Sequence, residues 1–255
     1  MSDRFPETRN SAVLGAQSDD PASRARAFDV LVRAYFKPVY AYVRVRFRRD
    51  PDVAAELVQG FFARAFEKGR FKGFDPARAM FRTYLKGSLD LYAAEMARAE
   101  GRLKRGGGQV RVDLPFDGAE RDLVASGALS EPATAASADA LFDREWTRSL
   151  FSAALERLSD LCITQEKKTY FDVFCKIVIE PELGPEDRRP SYAEVAEACG
   201  ISTSDVTNYL SWSRRAFRTC IVERLREITA NEDELREEAR ALGLGDVSVA
   251  TNRAP

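Results

Sequence analysis

The chain has 255 residues, 45% of them hydrophobic, so its length suits one large domain or two small ones and its composition excludes global disorder. The net charge is only −1, yet the basic residues are concentrated in one segment. Residues 24–105 hold 19 Lys and Arg against 9 Asp and Glu, whereas residues 110–190 hold 10 against 16. A local excess of positive charge is typical of a protein that contacts nucleic acid.

Several functional classes are disfavoured by what the sequence lacks. No run of about 18 apolar residues occurs, and residues 1–20 lack the apolar centre of a secretory signal, so we expect a soluble cytoplasmic protein without a membrane span. There is no histidine, the four cysteines have neither metal-binding nor redox spacing, and the glycines at 106–108 lack the Lys-Ser/Thr ending of a phosphate-binding loop. We therefore expect neither an enzyme nor a bound metal or cofactor.

The first part of the chain reads as one helical domain, residues 21–105, after a disordered segment of residues 1–20. Three helix starts share one signature, a capping carboxylate before a proline: Asp20-Pro21, Asp50-Pro51 and Asp75-Pro76. Apolar residues at helical spacing follow each of them. Pro38 is expected to kink or restart the first helix.

A flexible linker is predicted over residues 106–138, with a short helix near residues 120–124. A second helical domain is expected over residues 139–228. In it, Ser191 and Glu194 form a capping box, Gly200 suits a left-handed turn, and Ser202 caps a longer helix, which together predict a helix-turn-helix. The acidic tail, residues 229–255, carries a short helix around residues 233–242. The predicted fold class is thus all-α, two small helical domains joined by a linker.

The helix-turn-helix is the sharpest functional signal. Positions at the start of its second helix that are expected to be exposed and to meet base edges are Thr203, Ser204, Thr207, Asn208, Ser211 and Trp212. Three arginines follow that would hold phosphates: Arg214, Arg215 and Arg218. The alternative is a plain helical hairpin in a protein that does not bind DNA.

A second candidate surface combines a loop at residues 69–74 with the helix after it. Aromatic rings can stack on unpaired bases while neighbouring cations hold the backbone. The residues of this predicted surface are Arg70, Phe71, Lys72, Phe74, Arg78, Arg82, Lys86, Arg98 and Arg102. The alternative is that both phenylalanines simply close the core.

The helix predicted over residues 51–68 is a third candidate surface, because an acidic edge beside apolar residues suits docking into a groove of a basic partner. Its candidate contact residues are Asp52, Glu56, Leu57, Gln59, Phe61 and Phe62. An ordinary amphipathic helix is the alternative interpretation.

In this order the parts resemble the extracytoplasmic-function (ECF) sigma factors of the sigma-70 superfamily. Residues 27–105 resemble the second conserved region of that family, and residues 191–228 resemble the fourth. The segments that carry the resemblance are 52–62, similar to the polymerase-binding helix, 81–85, similar to the promoter-melting helix, and 104–108 and 142–146, similar to a planctomycete-like subgroup.

The resemblance implies that the first domain binds the clamp of RNA polymerase core and the −10 promoter element. It implies that the second domain binds the polymerase flap and the −35 element. An anti-sigma factor or a Ser/Thr kinase is a further candidate partner, with Thr83 as the nearest hydroxyl of the family motif. Asp90 and Glu95 depart from the pattern, since basic or neutral residues are commoner on this promoter-facing helix, and they predict weaker promoter binding.

Two other functions remain open on the sequence. A regulator that binds an operator would need only the helix-turn-helix and would leave the first domain unexplained. An adaptor on a degenerate sigma scaffold, which does not bind DNA, would account for the acidic departures and the acidic tail.

Overall fold

The fold is all-α, as predicted. The computed structural model describes residues 11–100, 114–130, 134–183, 189–245 and 247, and these ranges contain no strand. No described helix is long and apolar enough to cross a membrane.

The chain forms two compact units, Met1–Ser149 with Leu225–Pro255 and Leu150–Arg224. The principal helices are α1 (Ala12–Gly15), α2 (Pro21–Arg46), α3 (Pro51–Glu67), α4 (Phe81–Glu100), α5 (Phe116–Ala125), α6 (Ala135–Thr164), α7 (Lys168–Phe174), α8 (Glu180–Leu183), α9 (Tyr192–Cys199), α10 (Thr203–Ile228) and α11 (Glu232–Ala241). The division differs from the predicted domains of residues 21–105 and 139–228, because the first half of α6 and the tail helix α11 belong to the first unit.

Two of the three predicted Asp-Pro helix starts are confirmed. The carboxylate of Asp20 accepts a hydrogen bond from the Ser23 amide (2.8 Å), and that of Asp50 accepts one from the Val53 amide (3.0 Å). The sequence predicted a kink or a restart at Pro38, and the restart is wrong, since α2 continues through this residue. Almost every residue from Ala34 to Val45 is buried, so this part of α2 is packed on nearly all sides, and that packing outweighs the missing backbone hydrogen bond.

The third predicted start is also wrong. The carboxylate of Asp75 accepts a hydrogen bond from the Ala77 amide (3.0 Å), but turns follow and α4 begins only at Phe81. The Phe81 amide donates to Glu234 of α11 (2.6 Å). A carboxylate that is distant in sequence therefore caps α4, in place of the local one.

The described part of the predicted disordered N-terminus is folded, which corrects that expectation for residues 11–20. Helix α1 packs against α2 and buries Ala12 and Val13. The Gln17 amide group then donates to the backbone carbonyls of Phe71 and Phe74, at 3.0 Å each. These contacts give residues 11–20 a structural role.

The predicted linker also contains ordered structure. Helix α5 packs on α2, where Glu120 accepts hydrogen bonds from Arg44 Nη2 (2.5 Å) and the Tyr40 hydroxyl (2.7 Å). The ring of Phe116 contacts the ring of Tyr40 with 5.5 Å between centroids. Residues 114–130 are thus part of the first unit and are not a free tether, while residues 106–113 and 131–133 lie outside the described part.

Candidate nucleic-acid and polymerase interfaces

The helix-turn-helix is formed by α9 and α10, as predicted. The Ser191 side chain accepts from the Glu194 amide (3.3 Å), and the Glu194 carboxylate accepts from the Ser191 amide (2.7 Å), which completes the capping box. Gly200 follows α9 with φ 65°, a left-handed conformation that favours glycine. Ser202 caps α10 by accepting from the Asp205 amide (3.1 Å).

One side of α10 is a continuous polar surface. The predicted base-reading and phosphate-binding positions that are exposed are Thr203, Ser204, Thr207, Asn208, Ser211, Arg214, Arg215 and Arg218. The opposite side is anchored by Val206 and Leu210, which are buried. Arg215 donates to the Ser211 hydroxyl (3.0 Å), so its guanidinium lies along this polar surface.

Trp212 does not belong to that surface, which corrects the prediction. Its side chain is 8% exposed, its ring meets the edge of Tyr170 at 5.3 Å, and the Lys167 ammonium lies 4.2 Å from its ring centroid. Tyr209, one turn earlier, stacks on Tyr170 at 3.8 Å. Large aromatic area is stabilised by burial, so Trp212 joins α7 to α10 and is not available to bases.

Helix α3 presents only part of its predicted contact set. Asp52 and Glu56 are exposed, and Leu57 and Gln59 are half-buried. The rings of two further predicted residues, Phe61 and Phe62, are fully buried, 5.4 Å apart, and Phe61 also contacts Tyr92 of α4 at 5.7 Å. These two phenylalanines hold α3 to its own unit, so the surface left for a partner is the acidic edge with Leu57 and Gln59.

The loop after α3 does not offer free aromatic faces. Phe71 is 2% exposed and Phe74 is 5% exposed, and both rings contact Phe81, with centroid distances of 5.4 and 5.3 Å. The predicted base-stacking role is therefore incompatible with this conformation, and the alternative of core closure describes it. Lys72 is paired with Asp19 (2.7 Å); the side chain of Arg70 lies outside the described part.

The cations predicted on the promoter-facing surface differ in their surroundings. Arg78 and Arg98 are exposed, whereas Arg102 lies outside the described residues. Arg82 pairs with Asp143 (2.9 Å) and Glu238 (2.8 Å) and is 17% exposed. Lys86 pairs with Asp139 (2.9 Å) and is 18% exposed. The two cations nearest the start of α4 are thus neutralised within the first unit.

The acidic departures on α4 have structural partners. Asp90 accepts a hydrogen bond from the Tyr42 hydroxyl (3.1 Å), and Glu95 pairs with Arg64 (3.3 Å). Both acids therefore help to hold α4 against α2 and α3. Sequence analysis did not pair the cations of α4 with any acid. Asp143 falls in the segment 142–146, which was noted only for its resemblance to a subgroup, and the only signal for Glu238 was the amphipathic pattern of the acidic tail helix.

Burial gives one of these acids unusual electrostatics. Desolvation raises the pKa of Glu238 to about 7, and the nearby carboxylates of Glu234 and Asp143 act in the same direction against the opposing effect of Arg82. Its Oε1 accepts from Arg82, while its Oε2 is buried and has no hydrogen-bond partner among the described residues. A charged carboxylate in this position carries a free-energy cost.

Comparison with known proteins assigns a family to this arrangement. The ECF sigma factor family model matches residues 17–174, which is more than half of the chain and includes α2–α7 but not the helix-turn-helix. Searches among curated proteins and among solved structures each found no match. The chain therefore belongs to the ECF sigma factor family and has that family's role in transcription initiation.

Proposed function

We propose that this protein directs RNA polymerase core to promoters that carry −10 and −35 elements and assists strand opening there. The observation that carries the proposal is the polar surface of α10, where hydroxyls and an amide precede three arginines on one exposed side of a capped helix-turn-helix. A helix of this kind can place its first turns in a major groove and its later arginines against phosphates. Run-off transcription with purified core on a library of promoter fragments tests the proposal. If the chain binds core and yields no transcript, the proposal is contradicted.

The −35 contact is proposed to divide into base reading and phosphate holding. Asn208→Ala should change which −35 sequence is preferred and should weaken the binding free energy on the best site by about 1–3 kcal/mol. Arg215→Ala should weaken binding to all sequences alike and reduce the salt dependence, because one counterion-releasing contact is lost. Thr219→Ala, at an exposed position about three turns beyond Asn208, is the matched control. A uniform loss for Asn208→Ala, with no change in sequence preference, would remove that residue from base reading.

The acidic edge of α3 is proposed to dock on the polymerase clamp. Asp52 and Glu56 lie one turn apart and are exposed, so reversing both to Lys should abolish binding to core by charge repulsion. Glu67→Lys, at the exposed C-terminal end of the same helix, is the control and should bind core nearly normally. Circular dichroism checks that the helices are retained, and unchanged core affinity in the double variant would refute the assignment.

The −10 contact is proposed to use two exposed arginines as phosphate contacts, Arg78 just before α4 and Arg98 in the last turn of α4. The neutralised cations on the same helix favour one competing function, an adaptor that binds polymerase or another protein without binding DNA. The two functions separate on a permanganate footprint of core plus this chain on duplex promoters. Reactive thymines near the start site support the sigma role, and their absence together with retained core binding supports the adaptor.

A further inference from the structure

The N-terminal end of α4 gathers three groups that bind anions. The Phe81 amide belongs to the first helical turn and has no acceptor within the helix, Arg82 follows it, and Lys86 lies one turn later. A helix N-terminus with two adjacent cations is a general solution for holding phosphate, because the helix dipole and the charges act together. We call these three groups the α4 anion site.

Carboxylates from the same chain occupy all three groups. Glu234 Oε1 accepts from the Phe81 amide (2.6 Å), and Glu238 Oε1 accepts from Arg82 Nε (2.8 Å). The other contacts come from α6, where Asp143 pairs with Arg82 (2.9 Å) and Asp139 with Lys86 (2.9 Å). Four acids thus take the positions in which DNA phosphates would meet this helix.

We infer that α11 is a built-in competitor of promoter DNA, bound at the α4 anion site through Glu234 and Glu238. The inference rests on the proposed function, since it takes the N-terminal end of α4 as a DNA contact. The partner of this surface is therefore an acidic helix of the same chain, and phosphates must displace its carboxylates to bind there. Because α11 is covalently attached close by, it competes at a high effective concentration.

The contacts of α11 are those expected of a helix that DNA phosphates can displace from the α4 anion site. Glu234 is well satisfied, since its second oxygen accepts from the Ala230 amide (2.7 Å). Glu238 is not, because its Oε2 is buried without a partner among the described residues and Glu234 and Asp143 place like charge nearby. Leu235 and Ala239 supply apolar anchoring. The helix is thus held by packing, while its charge contact with Arg82 carries a cost that release recovers.

A pair of adjacent substitutions tests the competition in the full-length protein. Glu238→Lys places a positive charge against Arg82 and should release the helix, and Glu237→Lys makes the same change of charge at an exposed position of the same helix. The probe is a fluorescein-labelled single-stranded DNA pool of random sequence, titrated by anisotropy. We expect Glu238→Lys to bind the pool roughly fivefold to tenfold more tightly than Glu237→Lys. Adding Arg82→Gln to Glu238→Lys should abolish this difference.

A second measurement does not depend on the variants. Hydrogen exchange of the unaltered chain should show faster exchange in α11 when the DNA pool is bound, because its charge contacts are released. Equal affinity of the two lysine variants, or α11 protection that is unchanged or increased by DNA, overturns the inference. Core-dependent transcription is measured alongside. Its failure overturns the proposed function, whereas a transcribing chain with equal affinities overturns only the competition.

Discussion

Replacing Phe71 by alanine should destabilise the first unit by about 4 kcal/mol. The side chain is 2% exposed, and its ring contacts Phe28 and Phe81 with centroid distances of 5.9 and 5.4 Å. Truncation of a buried phenylalanine costs about 3–5 kcal/mol, and the loss of two aromatic contacts places this site in the upper half of that range. Since small domains are stable by only about 5–15 kcal/mol, the variant should be close to unfolding.

Fluorescence can follow this unit alone. The protein has two tryptophans, and Trp146 lies in the first unit while Trp212 lies in the second. In a Trp212→Phe background, urea unfolding monitored at Trp146 should show a midpoint for Phe71→Ala lower by about 2 M, taking a denaturant slope near 2 kcal/mol/M. The free energy of unfolding should fall by less than about 1.5 kcal/mol for Phe71→Leu. It should fall by less than about 0.5 kcal/mol for Lys72→Ala, which lies on the exposed side of the loop.

The outcome separates core packing from base stacking. If Phe71→Ala lowers the free energy of unfolding by less than about 1 kcal/mol and also forms fewer open complexes, the packing argument is refuted and Phe71 contacts DNA. A large loss of stability for Phe71→Ala, with normal open complexes for Phe71→Leu, would support it.

Three further outcomes are expected. The pKa of Glu238 is raised to about 7 from 4.5, so the protonated side chain favours the folded state. This stabilising contribution is complete below pH about 4.5 and is lost as the pH rises through about 7. The difference in unfolding free energy between Glu238→Gln and the unaltered chain should therefore change with pH in this window. The hydrogen bond from Arg44 lowers the pKa of Glu120, so the charged side chain stabilises the first unit above the ordinary pKa of 4.5. That contribution disappears as the pH falls through the lowered value. In a pH series of urea unfolding curves, the stability of Glu120→Gln should therefore be less sensitive to acid than that of the unaltered chain. Trp212→Ala should lower the free energy of unfolding of the second unit by about 3–5 kcal/mol, because it removes a buried ring that contacts Tyr170. The same variant should leave the −35 sequence preference unchanged in a library titration.

Sequence reasoning succeeded where the deciding contacts are local. The carboxylate caps of α2 and α3, the Ser191–Glu194 capping box and the left-handed Gly200 each depend on atoms within about one helical turn. The same reasoning failed at Asp75 because the amide of Phe81 is capped by a residue 153 positions away. Local propensity predicts an available cap, but packing decides which cap is used.

Side-chain exposure was harder to predict than helix position. A loop has no periodicity from which to infer its buried side, so the sequence allowed Phe71 and Phe74 to face either solvent or the core. Contacts from Gln17, α2 and α4 decide that they are buried. Trp212 was misplaced for a related reason, since it lies at the edge of the polar surface of α10 and only the position of Tyr170 decides its burial.

The sequence by itself determined the helices, the helix-turn-helix and the resemblance to ECF sigma factors, because helical periodicity, caps and motif order are properties of neighbouring residues. The tertiary structure alone decided which charges are available for a partner. Arg82 and Lys86 look alike on the sequence to Arg78 and Arg98, and they differ because acids of α6 and α11 are brought against the first pair and not the second. Burial and ion pairing depend on segments that are far apart along the chain, and only folding brings those segments together.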